Sequence, residues 1–341
     1  MIIRLAIIHE AYTLATGRNS FPDSKTDMLP ISLASKLANA AHPVIAKVLG
    51  HGGVQTARPT GEVSAVCTMT LDGFDEIAAA WSPILKKSGF TLDLHAVFCH
   101  SRPHVSFAPV PHPHLGGSPN PRKCELADLL IVMDHVDPHN NIDERRAVLV
   151  QAKMLKGNKL QLSGREWIQH ELLAWRQAFT FVDQRYDPRA RDLNSSAIGA
   201  PLYTAEYGGI DLKSSRPQWQ HEFTQTIKPW FGGSVPLAVY LAEMATGSLS
   251  CGREAVRGGS DDWSFTVDEL LRITAALPIS KSVGSSRGKS QVIGLKVQSD
   301  VEGGVGGGDG GDHIAEDPIE WPEGPMSTVH LRIGSNEERR D

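Results

Sequence analysis

Two nearly continuous apolar runs, CELADLLIVMD (Cys124–Asp134) and RRAVLVQAKM (Arg145–Met154), constrain this chain more than anything else in it. A half-buried strand alternates apolar and polar residues, and these runs do not alternate. Unbroken Leu, Ile and Val suit strands covered on both faces. Between the runs lie Pro138, Asn140 and Asn141, residues that end strands and favour turns. The economical reading is an antiparallel hairpin with strands at 128–134 and 146–153. Strands buried on both sides need covering layers. The expected fold class is therefore α/β (α+β), a central mixed β-sheet flanked by helices.

The flanking sequence supplies those layers. GFDEIAAAWSPILKKSGF has helical spacing at Phe74, Ile77, Trp81, Ile84 and Leu85, with a kink expected at Pro83 and a stop at Gly89. TLDLHAVFCH then alternates like a strand. After the second run, Ser163 and Glu166 have the spacing of a capping box, so a helix is expected from Ser163 through Trp167, Ile168, Leu172, Trp175 and Phe179. Thr266 and Glu269 suggest a second capping box, and a further helix is expected near Val235–Thr246. FTFVD, APLYTAEY and QVIGLKVQS are strand candidates. Upstream, SLASKLANAAHPVIAKVLG reads as a helix broken at Pro43, and EVSAVCTMTL as a strand. Residues 101–123 read as a long loop, because six prolines from Pro103 to Pro121 exclude regular structure.

The expected organisation is an N-terminal segment of undefined role at 1–70 and a principal α/β domain at 71–300. A Gly-rich acidic linker follows at 301–325, then a tail at 326–341 that can pair as an extra strand. MIIRLAII is only eight residues long with Arg4 inside it, unlike a signal peptide, and no apolar run approaches ~18 residues. A cytoplasmic protein with no membrane partner is expected. The four cysteines form no CxxC pair, which disfavours a disulfide framework.

The hairpin proposes a site. With its turn centred near residue 140, Asp128 falls opposite residue 153, beside Gln151 and Lys153. Side chains alternate along a strand, so Gln151 and Lys153 share a face. One carboxylate, one amide and one amine converge at the end of an apolar sheet, where unpaired polar groups are costly. The Asp128 carboxylate, the Gln151 amide and the Ala152 backbone carbonyl are hard oxygen ligands suited to Mg²⁺ or Mn²⁺. Lys153 can orient a water and offset charge developing on a phosphate.

The order helix, strand, strand with Asp, strand ending in VLVQAKM, helix resembles the PD-(D/E)xK, or restriction-endonuclease-like, nucleases. The Gln-x-Lys ending is similar to the Mrr-like variant. The resemblance covers residues 72 to 180. It implies that Asp128 is the metal-binding aspartate, Gln151 stands for the second acid and Lys153 is the catalytic lysine. It offers Glu76 as the acid on the helix before the first core strand, and Gln169 as a glutamine near the substrate. Glu125 is a further candidate carboxylate. The implied function is Mg²⁺-dependent hydrolysis of phosphodiester bonds by an endonuclease in a restriction, repair or defence setting. Nucleic acid, DNA before RNA, is the implied partner, with a homodimer or partner protein left open. The alternative is a catalytically inactive nuclease-like module that binds or assembles, a reading favoured by the missing second acid.

Other features compete less well. CHSRPHVSFAPVPHPHLGGSPNPRKC gathers Cys99, His100, His104, His112, His114 and Cys124, chemistry that zinc accepts, in spacings that match no zinc motif. A zinc-binding regulatory protein built on this loop is a third reading. GSSRGKS at 284–290 is one residue short of a phosphate-binding loop. The net charge of −5 is uneven: residues 299–341 hold eleven acids and three arginines, leaving 31 bases and 28 acids before them. A mildly basic body permits a polyanionic substrate without the strong basic footprint of a dedicated nucleic-acid binder.

Overall fold

The structure is a computed structural model and describes residues 29–99, 103–112, 114–117, 120–157, 159–175, 177–193, 204–223, 234–248, 250–275, 292–299 and 325–335. The N-terminal apolar stretch, His100, the GSSRGKS motif and all but the last residue of the 301–325 linker lie outside the described residues. In chain order the helices are α1 (Ala34–His51), α2 (Glu62–Thr68), α3 (Phe74–Lys87), α4 (Glu166–Ala174), α5 (Leu237–Ala245) and α6 (Asp262–Ala275). The strands are β1 (Phe90–Cys99), β2 (His104–Phe107), β3 (Arg122–Glu125), β4 (Leu129–Val136), β5 (Ile142–Met154) and β6 (Phe179–Phe181). They continue with β7 (Ala205–Asp211), β8 (Gln218–Phe223), β9 (Val235–Pro236), β10 (Arg253–Glu254), β11 (Val292–Ser299) and β12 (Thr328–Ser335).

The two apolar runs are β4 and β5. They pair antiparallel from Leu129↔Val150 to His135↔Glu144, with a bulge before Val136↔Ile142. Asn140, at φ 67°, turns the chain, and its neighbour Asn141 donates its backbone N–H to Asp137 Oδ1 at 2.7 Å. Asparagine tolerates this left-handed conformation because its short polar side chain bonds locally. β4 is buried from Leu129 to His135 and β5 from Arg145 to Lys153, as central strands should be.

Alternation along these strands feeds two different cores. Leu129, Ile131, Met133, Val148, Val150 and Ala152 face α1, α2, α3 and α5. Leu130, Val132, Ala147 and Leu149 face α4, α6 and a small sheet of order β3-β2-β6. The result is a mixed α+β architecture with helices on both faces of a nine-stranded mixed sheet, ordered β11-β1-β12-β4-β5-β7-β8-β9 with β10 also on β5. β7 runs parallel to β5, and α4 lies in the connection between them. β12, from the end of the chain, runs parallel to β4 and antiparallel to β1. The C-terminal stretch is thus a central strand and separates β1 from β4.

Several local expectations change. Residues 62–73 are helical: α2 passes through a π turn at Met69–Gly73 into α3. Ala65, Val66 and Met69 lie buried at helical spacing, and Ser64 Oγ accepts the Gly61 N–H at 3.0 Å, which fixes the start. Pro43 sits inside α1 without breaking it. The buried stripe Leu37, Ala41, Ile45 and Val48 packs on both sides of it, and tertiary burial outweighs the lost hydrogen bond. α4 begins at Glu166, three residues later than expected, although Glu166 Oε2 does reach back to the Ser163 N–H at 2.8 Å. Thr266 and Glu269 form no cap. α6 starts at Asp262, Thr266 Oγ1 donates to the Asp262 carbonyl, and Glu269 pairs with Arg191 instead. Residues 101–123 contain β2 and the start of β3, so the prolines interrupt but do not abolish regular structure. Among the described residues, no helix is long and apolar enough to cross a membrane.

Candidate active site

β5 outruns β4. Leu129, the first residue of β4, pairs with Val150, so residues 151–154 extend beyond it. Asp128 enters this notch, its backbone N–H donating to the Val150 carbonyl at 3.0 Å. Continuing the register puts Asp128 opposite Gln151 rather than residue 153. The difference of two positions comes from a turn centred slightly earlier than residue 140, and it preserves parity, so Asp128, Gln151 and Lys153 still meet.

The contacts are specific. Asp128 Oδ2 accepts the Ala152 backbone N–H at 2.7 Å and is bonded by Gln151 Nε2. Burial pushes the Asp128 carboxyl up from its ordinary 3.8 to about 7. Lys153 and the two donors oppose that rise, while Glu62 adds to it. Gln151 is 1% exposed, and its Oε1 is buried without a hydrogen-bond partner among the described residues. Ala152 offers its N–H to Asp128, and its carbonyl lies 3.5 Å from Gln151 Nε2.

Lys153 is buried, and its Nζ donates to Glu62 Oε1 at 2.7 Å, with Glu166 Oε1 at 3.6 Å. Burial works against its charge, but Asp128, Glu62 and Glu166 outweigh burial and hold the ammonium above the ordinary lysine range. Lys153 is therefore a fixed positive charge and not a proton acceptor. Burial raises Glu62, with Lys153 partly reversing the effect.

The remaining candidates stand elsewhere or act indirectly. Glu76 lies in the first turn of α3, where Lys47 holds it at 2.8 Å, and it makes no contact with Asp128, Gln151 or Lys153. The acid that reaches the lysine from the helices before β1 is Glu62. The strand reading of residues 62–70 concealed it, although the helical spacing of Ala65, Val66 and Met69 was a usable signal. Glu166 was legible only as a cap; its two oxygens divide between Ser163 and Lys153. Glu125 ends β3, and its backbone carbonyl accepts Gln169 Nε2 at 3.4 Å. Gln169 thus ties α4 to the segment that delivers Asp128.

The donor set fits a hard cation. Asp128 Oδ1 takes no hydrogen bond among the described residues, Gln151 Oε1 is orphaned, and the Ala152 carbonyl lies 3.5 Å from the Gln151 amide nitrogen. These are oxygen ligands of the kind Mg²⁺ and Mn²⁺ accept while retaining several waters. Among the described residues, no group of three or more His, Cys, Asp or Glu could hold a metal. Any cation here relies on the amide and the peptide carbonyl beside one carboxylate.

That finding also bears on the histidine-rich loop. His112 Nδ1 accepts the His114 backbone N–H at 3.1 Å, which places the imidazole proton on Nε2 and leaves no lone pair for a metal. His112 and His114 pack instead against Trp167, His170 and Trp175 of the α4 region. Burial, followed by the two neighbouring histidines, lowers His170 to about 4, so it is neutral. His104 is in β2, and burial raises Cys124 to about 12.

No protein-family model, no curated protein and no solved structure matches the chain.

Proposed function

We propose that this protein is a metal-dependent nuclease of the restriction-endonuclease-like type, hydrolysing phosphodiester bonds of DNA. One observation carries the reading: Asp128, Gln151 and Lys153 meet in the notch where β5 outruns β4, with Glu62 on the lysine. The order α2–α3, β1, β4 with Asp128, β5 with Gln-x-Lys, then α4 supports it. Glu62 also fills the role of an acid from the helices preceding the first core strand. The insertion of β12 between β1 and β4 is this chain's own departure.

In this reading Asp128, Gln151 Oε1 and the Ala152 carbonyl would hold Mg²⁺ or Mn²⁺. The ion, when bound, would polarise the phosphate and its water. Lys153, fixed by Glu62 and Glu166, faces the charge that builds on the phosphate oxygens as water attacks phosphorus and the P–O bond breaks. Glu62, hydrogen-bonded to Lys153 and with its carboxyl raised by burial, would be the group to accept the water's proton.

The test is incubation of plasmid and single-stranded DNA with the parent, Asp128→Ala and Lys153→Ala in Mg²⁺ or Mn²⁺. Cleavage by the parent that both substitutions abolish supports the nuclease. Equal cleavage by all three contradicts it. A second reading, an inactive nuclease-like binding module, is favoured by the uncharged Gln151 and by the occupation of Lys153 by two carboxylates. It predicts DNA binding with no cleavage by any of the three proteins.

A further inference from the structure

Beside the site lies an aromatic surface that hydrolysis itself does not require. His114 is exposed, and its ring stacks on Trp167 at 3.9 Å between centroids with 23° between planes. The stack is held from behind: the His114 N–H donates to His112 Nδ1, and the Trp167 ring meets His112 at 5.6 Å and His170 at 5.5 Å. His170 is in turn anchored through Nδ1 to Tyr207 OH at 2.8 Å, and Tyr207 pairs in register with Gln151. Trp167 follows Glu166, whose Oε1 lies 3.6 Å from Lys153 Nζ. The two-ring platform therefore sits at the helix whose first residue, Glu166, reaches Lys153, and it is braced through His170 and Tyr207 against the strand that carries the lysine.

Exposed cations precede Trp167 in the chain. Lys156, Lys159 and Arg165, on the segment joining β5 to α4, are exposed and take no ion pair among the described residues. A cavity of about 700 Å³ elsewhere on the molecule is lined by Arg185 and Arg272 together with Asp187, Asp268 and Glu269, so its charges largely offset one another. Aromatic faces interleaved with exposed cations bind single-stranded nucleic acid, because every base has a face to stack and every nucleotide a phosphate to neutralise. In a duplex those faces are covered by neighbouring base pairs, so a stacking platform can serve only a base freed from its stack.

We infer that the platform receives an unpaired base next to the scissile phosphate, making the substrate a single strand, an overhang or a flap rather than continuous duplex. The inference rests on the nuclease reading for the position of the scissile phosphate, but its test does not use cleavage. The full chain in EDTA is titrated into a fluorescent single-stranded oligonucleotide and into its duplex. Tighter binding of the single strand is expected. His114→Ala should weaken that binding about 5- to 100-fold, the worth of one stacked base, and leave duplex binding unchanged. His114→Tyr should restore it. Because His114 is exposed, these substitutions leave the core intact, which a thermal melt of each variant checks. Equal affinity for both forms, no binding of either, or no effect of His114→Ala would overturn the inference. Stacking-dependent single-strand binding without hydrolysis in Mg²⁺ would leave the platform standing and remove the nuclease; hydrolysis without that dependence would do the reverse.

Discussion

Glu62 Oε1 lies 2.7 Å from Lys153 Nζ, nearer than the Glu166 oxygen at 3.6 Å, although the two residues are 91 positions apart in the chain. The pair binds α2 to the end of β5 and fixes the lysine's charge, which in the proposed nuclease would face a phosphate. Glu62→Gln removes the nearest counter-charge and the candidate proton acceptor. DNA hydrolysis should fall about 10²- to 10⁴-fold, the usual range for a lost acid–base group. Glu76→Gln, which breaks only the exposed contact with Lys47, should leave the rate unchanged. Rates for the two variants, measured side by side, decide which acid serves the site.

The Asp128 carboxyl, raised from 3.8 to about 7, gives two pH dependences. The folded protein holds this proton more tightly than the unfolded chain, so stability is fully present below about pH 4 and declines as pH rises through 7. Asp128→Asn should remove that part of the slope in thermal melts between pH 4 and 8. Metal binding requires the ionised carboxylate, so Mg²⁺ affinity should increase as pH passes 7, with proton release. Calorimetric titrations in buffers of different ionisation enthalpy check this; pH-independent affinity would contradict it.

Gln151→Glu should strengthen the metal site. It replaces an orphaned amide oxygen by a charged one, at the expense of the hydrogen bond to Asp128. Two facing carboxylates repel without a cation, so the variant should melt below the parent in EDTA and regain the loss in Mg²⁺. The measurement is the difference in Tm with and without Mg²⁺, expected to be larger for the variant than for the parent.

The C-terminal strand is locked by charge as well as by pairing. Asp134 takes both Arg145 Nε and Nη2, at 2.7 and 2.8 Å, and His330 Nε2 of β12 at 2.8 Å. Burial alone would raise this carboxyl, but Arg145 and His330 outweigh it and hold it at about 2. The stability it confers is present above about pH 4 and is lost as pH falls toward 2. Asp134→Ala leaves the buried Arg145 with Asp268, 2.6 Å from its Nη1, as counter-charge, and should lower stability in urea unfolding at neutral pH by less than the ~3–5 kcal/mol that a fully unpaired buried charge costs.

Much of this fold could be read from residues because burial on both faces leaves a plain mark. The runs at β4 and β5 could only be central strands, and parity alone brought Asp128, Gln151 and Lys153 together despite a register misplaced by two. Glu62 escaped because EVSAVCTMTL mixes β-branched and small residues that suit a strand as well as a helix, which masks the helical spacing of Ala65, Val66 and Met69. The place of β12 between β1 and β4 was not legible either. A strand's period reports its faces but not its neighbours, and nearly two hundred residues separate His330 from Asp134.

The most direct test is the rate of DNA hydrolysis by Lys153→Ala against the parent at the same Mg²⁺ concentration, with the fold of both confirmed by thermal melting. The predicted result is a loss of at least about 100-fold, since the fixed positive charge that would face the phosphate is gone. Equal rates for the two folded proteins would show that the notch beside β5 is not where the bond is cut.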